Sequence, residues 1–66
     1  RYTERAYAYG LLDQHQNAMN DYTMAIQLEP SGLRYNNRAV SYYHLGDYTN
    51  QQADKAAACS LDSQWC

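Results

Sequence analysis

Apolar and small residues recur along this chain at the three- and four-residue spacing of an α-helix. In the first half of the chain these positions are Tyr2, Ala6, Tyr9, Leu12, Ala18, Tyr22, Ala25, Ile26 and Leu28. The strict alternation that marks a half-buried strand is absent, and the frequent Ala, Gln, Leu and Met residues favour helix. The pattern therefore predicts an all-α fold.

Three polar or helix-breaking segments divide this pattern into four parts. The first is the polar run that starts at Asp13, the second is Pro30 with the Ser-Gly pair after it, and the third is Gly46, where a left-handed helix cap is expected. We predict helices at about residues 2–12, 16–28, 33–45 and 49–61. Because the links are short, neighbouring helices must be antiparallel, which gives two stacked αα-hairpins.

The second half of the chain repeats the first at an offset of thirty-three residues. The recurring residues are Tyr2 and Tyr35, Arg5 and Arg38, Ala6 and Ala39, Tyr9 and Tyr42, Leu12 and Leu45, Asp21 and Asp54, Ala25 and Ala58, and Leu28 and Leu61. Such a period is typical of stacked repeat units, which present surfaces to partners and seldom carry out chemistry. We predict a single domain over residues 1–66, with one repeat at about 1–32 and the other at about 33–66.

The repeat resembles the tetratricopeptide repeat, a helix–turn–helix unit of similar length. Residues 18–30 are similar to the second helix of that unit, and residues 42–48 are similar to the turn between its helices. The resemblance implies a fragment of a right-handed solenoid. The fourth helix departs from the family pattern at Gln51 and Lys55, so we expect it to pack less tightly, as a terminal helix with a polar outer face. A larger side chain should then be tolerated better at Ala58 than at Ala25.

The resemblance also implies a binding surface. In this family the first helix of each unit lines a concave inner face, and the residues at those positions here are Thr3, Tyr7, Leu11, Asn36, Asn37, Val40, Tyr43 and His44. Tyr and His offer amphipathic contact area, and Asn can both donate to and accept from a peptide backbone. The hypothesis is a protein-interaction module that binds a peptide or a partner's helix. Alternatively, Tyr7 and Tyr43 pack against each other or against a further repeat.

A structural role is the second hypothesis. Two stacked repeats leave apolar surface at both ends, and three or more repeats are normally needed for stability. The chain also starts without Met, so we expect it to be a piece of a longer protein. In this reading it is a segment of a longer solenoid or a scaffold that forms a homo-oligomer through its exposed ends.

Two charges recur in register. Arg5 and Arg38 occupy equivalent places in the two repeats, and so do Asp21 and Asp54. This predicts an Arg–Asp contact between the two helices of each repeat. The alternative is that all four residues are solvated surface charges.

Composition narrows the possible partners. The formal net charge is −2, and the five basic residues are spread along the chain, whereas nucleic-acid binding requires a clustered basic surface. No apolar run approaches the roughly 20 residues of a membrane helix. We therefore expect a protein or peptide partner, with no nucleic acid and no membrane segment.

Candidate chemistry is sparse. His15 is expected in a turn and His44 on the open face of its helix, and nothing in the sequence brings them together as metal ligands. Cys59 and Cys66 would lie about 10 Å apart on one continuous helix. A disulfide needs Cα atoms within about 7 Å, so we expect none unless the chain bends after Leu61, and Cys59 is expected as a small buried residue. We predict no enzymatic activity, no cofactor and no metal.

Overall fold

Four α-helices and no strand make up the protein, as the computed structural model of residues 1–66 shows. The helices are α1 at Tyr2–Leu11, α2 at His15–Leu28, α3 at Gly32–His44 and α4 at Tyr48–Leu61, and a 3₁₀ turn follows at Ser63–Trp65. The all-α prediction is confirmed, and each predicted helix end lies within one residue of the observed end.

Side-chain caps explain why α3 and α4 begin one residue earlier than predicted. The Ser31 hydroxyl accepts a hydrogen bond from the backbone N–H of Arg34 at 3.1 Å. The Asp47 carboxylate accepts one from the backbone N–H of Asn50 at 3.2 Å. Each cap satisfies a donor that the helix itself leaves unpaired, so the first helical residue directly follows the cap.

The two hairpin turns have the same geometry but different residues. In each turn a backbone N–H donates, at 2.9 Å, to a carbonyl five residues earlier in the preceding helix. Gly46 takes the left-handed conformation with a φ of 80°, as predicted, and Asp13 takes it in the first hairpin with a φ of 61°. Aspartate is one of the few residues other than Gly that enter this region without a large penalty, so the turn survives the substitution.

The helices pack in chain order. α2 lies between α1 and α3, and α4 packs against α3. The contact between α1 and α3 is small, and α1 does not contact α4. The arrangement is thus an open array of helical hairpins and not a closed four-helix bundle. Its buried apolar residues are Ala6, Ala18, Tyr22, Ala25, Ile26, Ala39 and Ala58. The alanines let neighbouring helices approach closely, and the core is correspondingly small.

The Cys59–Cys66 pair corrects a prediction. The two residues form a disulfide, with their Cα atoms 4.6 Å apart, and Cys59 is only half-buried. The helix ends at Leu61, and Asp62 adopts an extended conformation with φ −154° and ψ 114°. The chain therefore bends at the one place that permits a bridge, and the 3₁₀ turn returns Cys66 to the side of α4.

Candidate functional site

An arginine–aspartate pair joins the two helices of each hairpin. Arg5 donates from Nε and Nη2 to the two carboxylate oxygens of Asp21 at 2.7 and 2.9 Å. Arg38 makes the same two-pronged contact to Asp54 at 2.7 and 2.8 Å. Both carboxylates are buried. The predicted pairing is confirmed, and the alternative of four solvated charges is wrong.

The pairs shift the protonation equilibria of their members. Hydrogen bonds from Arg5 hold the pKa of Asp21 below its ordinary value, although burial acts in the opposite direction. The same bonds raise the pKa of Arg5, and the bonds to Asp54 raise the pKa of Arg38. Charge-assisted bonds of this kind favour the ionised forms. Asp21 therefore stays ionised at neutral pH, where its carboxylate holds Arg5 and does not serve as a proton donor.

Two arginines of α3 connect the second hairpin to the first. Arg34 Nε donates to the Thr3 hydroxyl at 3.2 Å, and Arg38 Nη1 donates to the Thr23 hydroxyl at 3.2 Å. These bonds fix the position of α3 across α1 and α2. They also place Thr3, a predicted binding residue, in a contact between the hairpins.

A groove runs between α1 and α3, with α2 as its floor. Its volume is about 270 Å³. The residues that line this α1–α3 groove are Tyr7, Gly10, Leu11, His15, Tyr22, Asn37, Val40, Ser41 and His44. Five of the eight predicted binding residues are brought together here, namely Tyr7, Leu11, Asn37, Val40 and His44.

The walls of the groove are apolar and open to solvent. Tyr7 is 60% exposed, Leu11 is 72% exposed and Val40 is 49% exposed. The half-buried Asn37 adds an amide that can donate and accept. Burial raises the pKa of the Tyr22 phenol on the floor, which keeps this hydroxyl protonated. The groove thus combines apolar contact area with a small number of neutral polar groups.

The other three predicted residues lie outside the groove. Thr3 is engaged by Arg34, and Asn36 is half-buried elsewhere on α3. The Tyr43 ring meets His44 edge-on at 5.5 Å between centroids and Tyr48 at 5.9 Å. Tyr43 therefore packs within its own hairpin. The alternative in the sequence analysis, that Tyr43 packs against Tyr7, is wrong.

Two histidines meet at one end of the groove. The rings of His15 and His44 stack with their centroids 4.2 Å apart and an interplanar angle of 11°. The expectation that nothing brings these residues together is wrong. His15 begins α2 and His44 ends α3, and in an antiparallel array these two positions share an end, which is the signal that sequence reasoning missed. No group of three or more His, Cys, Asp or Glu side chains is placed to hold a metal ion.

A second depression lies at the opposite end of the first hairpin. It has a volume of about 1110 Å³ and is lined by residues at the start of α1, the end of α2 and the start of α3. Two of the three arginines that line it are paired, Arg5 with Asp21 and Arg34 with Glu29 at 3.2 Å, whereas the exposed side chain of Arg1 forms no ion pair. The guanidinium of Arg1 is therefore the one arginine charge of this end depression that is left unpaired.

Comparisons with protein-family models and with solved structures do not change this description of the fold. No family model matches the chain, and no solved structure matches it. Separately, none of the helices combines the length and the hydropathy required to cross a lipid bilayer.

Proposed function

We propose that the protein is an interaction module of the tetratricopeptide-repeat type, which binds a segment of another protein in the α1–α3 groove. The observation that carries this proposal is the groove itself, where Tyr7, Leu11 and Val40 are exposed beside Asn37. Exposed apolar clusters with a polar rim are typical of protein-binding surfaces. The proposal includes no catalytic step.

The dimensions of the groove favour a peptide over a small-molecule cofactor. Its volume of about 270 Å³ is below the roughly 300–1,000 Å³ of typical ligand pockets. One or two side chains of a partner fill such a space, while the rest of the partner lies along α1 and α3. Leu11 and Val40 then contact an apolar side chain, and the Asn37 amide bonds to the partner's backbone.

Three features support the family assignment within this proposal. The thirty-three-residue repeat places Arg–Asp pairs and buried alanines at equivalent positions. The helices pack in chain order as an open array. Both hairpin turns contain a residue in the left-handed conformation. A fixed sequence period and packing of each unit on its neighbours are features of a solenoid of stacked hairpins.

A displayed random-peptide library tests the proposal while the natural partner is still unidentified. Peptides are selected on the immobilised disulfide-bonded protein, and one selected peptide is labelled and titrated by fluorescence anisotropy. We expect Tyr7→Ala and Asn37→Ala to weaken its binding by roughly tenfold or more, because a few central residues dominate such interfaces. Leu61→Ala is the matched control, since Leu61 is also exposed but lies at the end of α4.

The selected peptide decides the location of the site. Full binding by both groove variants, together with loss of binding in Leu61→Ala, would place the site outside the groove and contradict the proposal. Failure to select any peptide would also count against it. Circular dichroism of each variant, compared with the parent protein, separates a lost contact from a lost fold.

A role as one segment of a longer repeat array is the second candidate, and one observation favours it. The Arg38 side chain is 17% exposed because α3 docks on the first hairpin, whereas the equivalent Arg5 is 59% exposed. Arg5 lacks the threonine contact that Arg38 makes with Thr23. The face of α1 that corresponds to the docked face of α3 is therefore open to a further hairpin.

Light scattering over a range of concentrations tests this candidate. If the open face of α1 pairs with a second copy, the measured mass should rise above the monomer mass of 7.6 kDa as the concentration increases. A mass that stays at the monomer value at all concentrations would exclude self-association through this face.

A further inference from the structure

The last residues of the chain form a small unit of their own. Asp62 accepts a hydrogen bond from the backbone N–H of Gln64 at 3.1 Å, and the backbone N–H groups of Trp65 and Cys66 donate to carbonyls three residues earlier at 3.0 and 3.1 Å. This C-terminal segment, residues 62–66, makes one 3₁₀ turn. A single turn has too few hydrogen bonds to persist without tertiary support.

Trp65 supplies part of that support by packing on the start of α3. Gly32 is buried under its indole, and a Cβ atom added to Gly32 would lie 2.5 Å from Cδ1 and 2.8 Å from Nε1 of Trp65. The contact therefore requires the absence of a side chain at Gly32. The indole N–H is buried there without an acceptor, whereas it would donate a hydrogen bond to water if Trp65 were undocked. The loss of this hydrogen bond offsets part of the free energy that the indole gains by packing on Gly32.

The backbone conformation at the end of α4 is similar to that at the end of α2. Asp62 has φ −154° and ψ 114°, and the equivalent Glu29 has φ −155° and ψ 93°. After Glu29 the chain goes on to form α3, beginning at Gly32. Trp65 stands at the repeat position of Gly32, but the chain there turns back, and Cys66 is bonded to Cys59. The two exits differ in sequence, with Pro30 and Ser31 in the first and Ser63 and Gln64 in the second, and only the second is closed by a disulfide.

We propose that the Cys59–Cys66 disulfide is a redox latch, which holds the C-terminal segment over Gly32 when oxidised and releases it when reduced. The reductant is a dithiol. One of its thiolates attacks a sulfur of the bridge to form a mixed disulfide, and its second thiolate displaces the protein sulfur. Two electrons and two protons pass to Cys59 and Cys66, and the dithiol leaves as its own disulfide.

Release has a structural consequence at this end of the array. It uncovers Gly32 and the adjoining ends of α3 and α4, where Leu33 and Leu61 are already exposed. The latch thereby controls how much apolar surface this end presents. The inference rests on the C-terminal segment alone and does not depend on the function of the α1–α3 groove.

The chain contains its own reporter, because Trp65 is its only tryptophan. Tryptophan emission is excited selectively in the oxidised protein, after reduction with dithiothreitol, and after reoxidation. We expect reduction to shift the emission maximum to the red and to increase quenching by acrylamide, both reversibly, with an unchanged helical circular dichroism spectrum. Emission intensity is not the readout, since a nearby disulfide itself quenches indole fluorescence.

Two variants separate the disulfide from the docking. The Cys59→Ser/Cys66→Ser protein should show the red-shifted emission of the reduced parent and no response to dithiothreitol. Gly32→Ala should displace Trp65 while the bridge stays closed, so its emission should be shifted before any reduction. If the double variant does not fold, the reversible titration of the parent protein gives the answer by itself.

Two outcomes would overturn the proposal. The first is an unshifted emission maximum in a reduced protein in which titration finds both thiols of the chain free, since Trp65 would then stay docked without the bridge. The second is loss of the helical spectrum on reduction, since the disulfide would then be a cross-link for the whole fold and not a latch for one segment.

Discussion

At the scale of single residues, Arg38 connects three helices. Its guanidinium binds Asp54 on α4 and Thr23 on α2, and lies 5.5 and 5.6 Å from the ring centroids of Tyr35 and Tyr42 on its own helix. A planar guanidinium can do this because it offers five donors at its edge and a face for stacking, whereas a lysine ammonium offers neither arrangement.

The two arginines should differ in what their removal costs. Arg38→Ala leaves the buried Asp54 carboxylate unpaired, so we expect a loss of about 3 kcal/mol in the free energy of unfolding. Arg5→Ala also removes the partner of a buried carboxylate, Asp21, but it should cost less, because Arg5 is mostly exposed and water can reach Asp21 in its place. Urea unfolding of the two variants measures both losses.

A double-mutant cycle of Arg38 with Asp54 supplies the control. The coupling energy should exceed about 0.5 kcal/mol. Equal losses for the two arginine variants, or strictly additive effects in the cycle, would show that the pair in the second hairpin has no special role.

Asp21 should make stability depend on pH on the acid side. Its pKa is lowered in the folded protein, mainly by hydrogen bonds from Arg5, whereas the unfolded value is about 3.9. Between these two values the unfolded chain binds more protons than the folded one, so stability rises with pH. The contribution is complete above the unfolded pKa and is lost as the pH falls through the folded pKa.

The measurement is the urea midpoint over a pH series from neutral to acid. Asp21→Asn should flatten the acid part of this curve relative to the parent protein. The same slope in both proteins would mean that another carboxylate controls acid unfolding.

At the scale of elements, the helix ends were predictable because local chemistry sets them. Pro30 cannot continue a helix, and Gly46 permits the left-handed turn that ends α3. The errors of one residue at the starts of α3 and α4 arise where Ser31 and Asp47 cap the helices with their side chains, whereas those at the end of α1, the start of α2 and the end of α3 involve no such cap. Such caps depend on hydroxyl and carboxylate geometry that the spacing of apolar residues does not record.

The two hairpin turns allow a matched pair of substitutions. Asp13→Gly removes a side chain from a left-handed residue and should raise the free energy of unfolding by up to about 1 kcal/mol. Gly46→Ala places a side chain in the same conformation and should lower it by about 1 kcal/mol. No atom lies within 4 Å of a Cβ added at Gly46, so the effect is one of backbone conformation alone.

Thermal unfolding of both variants gives the comparison. If Gly46→Ala is as stable as the parent protein, the left-handed φ is not a constraint on this turn. Asp13→Gly is then expected to have no effect either.

The burial of Ala58 and Ala25 reverses the order in which we expect a larger side chain at these positions to destabilise the protein. The sequence suggested that Ala58 tolerates a larger side chain better than Ala25. In the structure Ala58 is fully buried between α3 and α4, whereas Ala25 borders the open end depression. We therefore expect Ala58→Leu to cost about 1–3 kcal/mol by overpacking, and Ala25→Leu to cost less.

The midpoints of thermal unfolding decide between the two orders. A larger loss for Ala25→Leu would restore the sequence-based view that α4 packs loosely. The departures of Gln51 and Lys55 from the family pattern did not reveal the burial of Ala58, although helical spacing places all three residues on the same side of α4.

At the scale of the whole molecule, the sequence located only part of the candidate site. Tyr7, Leu11 and Val40 were placed by the resemblance, and the groove contains them. The stacking of His15 on His44 was missed because these residues belong to different hairpins and are not repeat equivalents. Contacts between elements depend on how the hairpins stack, and the spacing of residues within a helix does not predict this stacking.

Protection of backbone amides should follow the order of packing. α2 and α3 each pack between two helices, whereas α1 and α4 have one main neighbour each. We expect hydrogen exchange to be slowest in α2 and α3 and fastest in α1, because local opening is easiest where few contacts are lost. Exchange followed by NMR gives these rates for single residues. Uniform protection of all four helices would indicate that the array opens only as a whole.

The order of packing also bears on how the protein reaches its folded state. Apart from the brief contact of α1 with α3, every pair of packed helices is adjacent in the chain. Forming such pairs closes only short loops, which costs little chain entropy. Helical proteins with mainly local contacts fold in microseconds to milliseconds. Either hairpin is able to form first, and the folding rate should then change little when the C-terminal segment is removed.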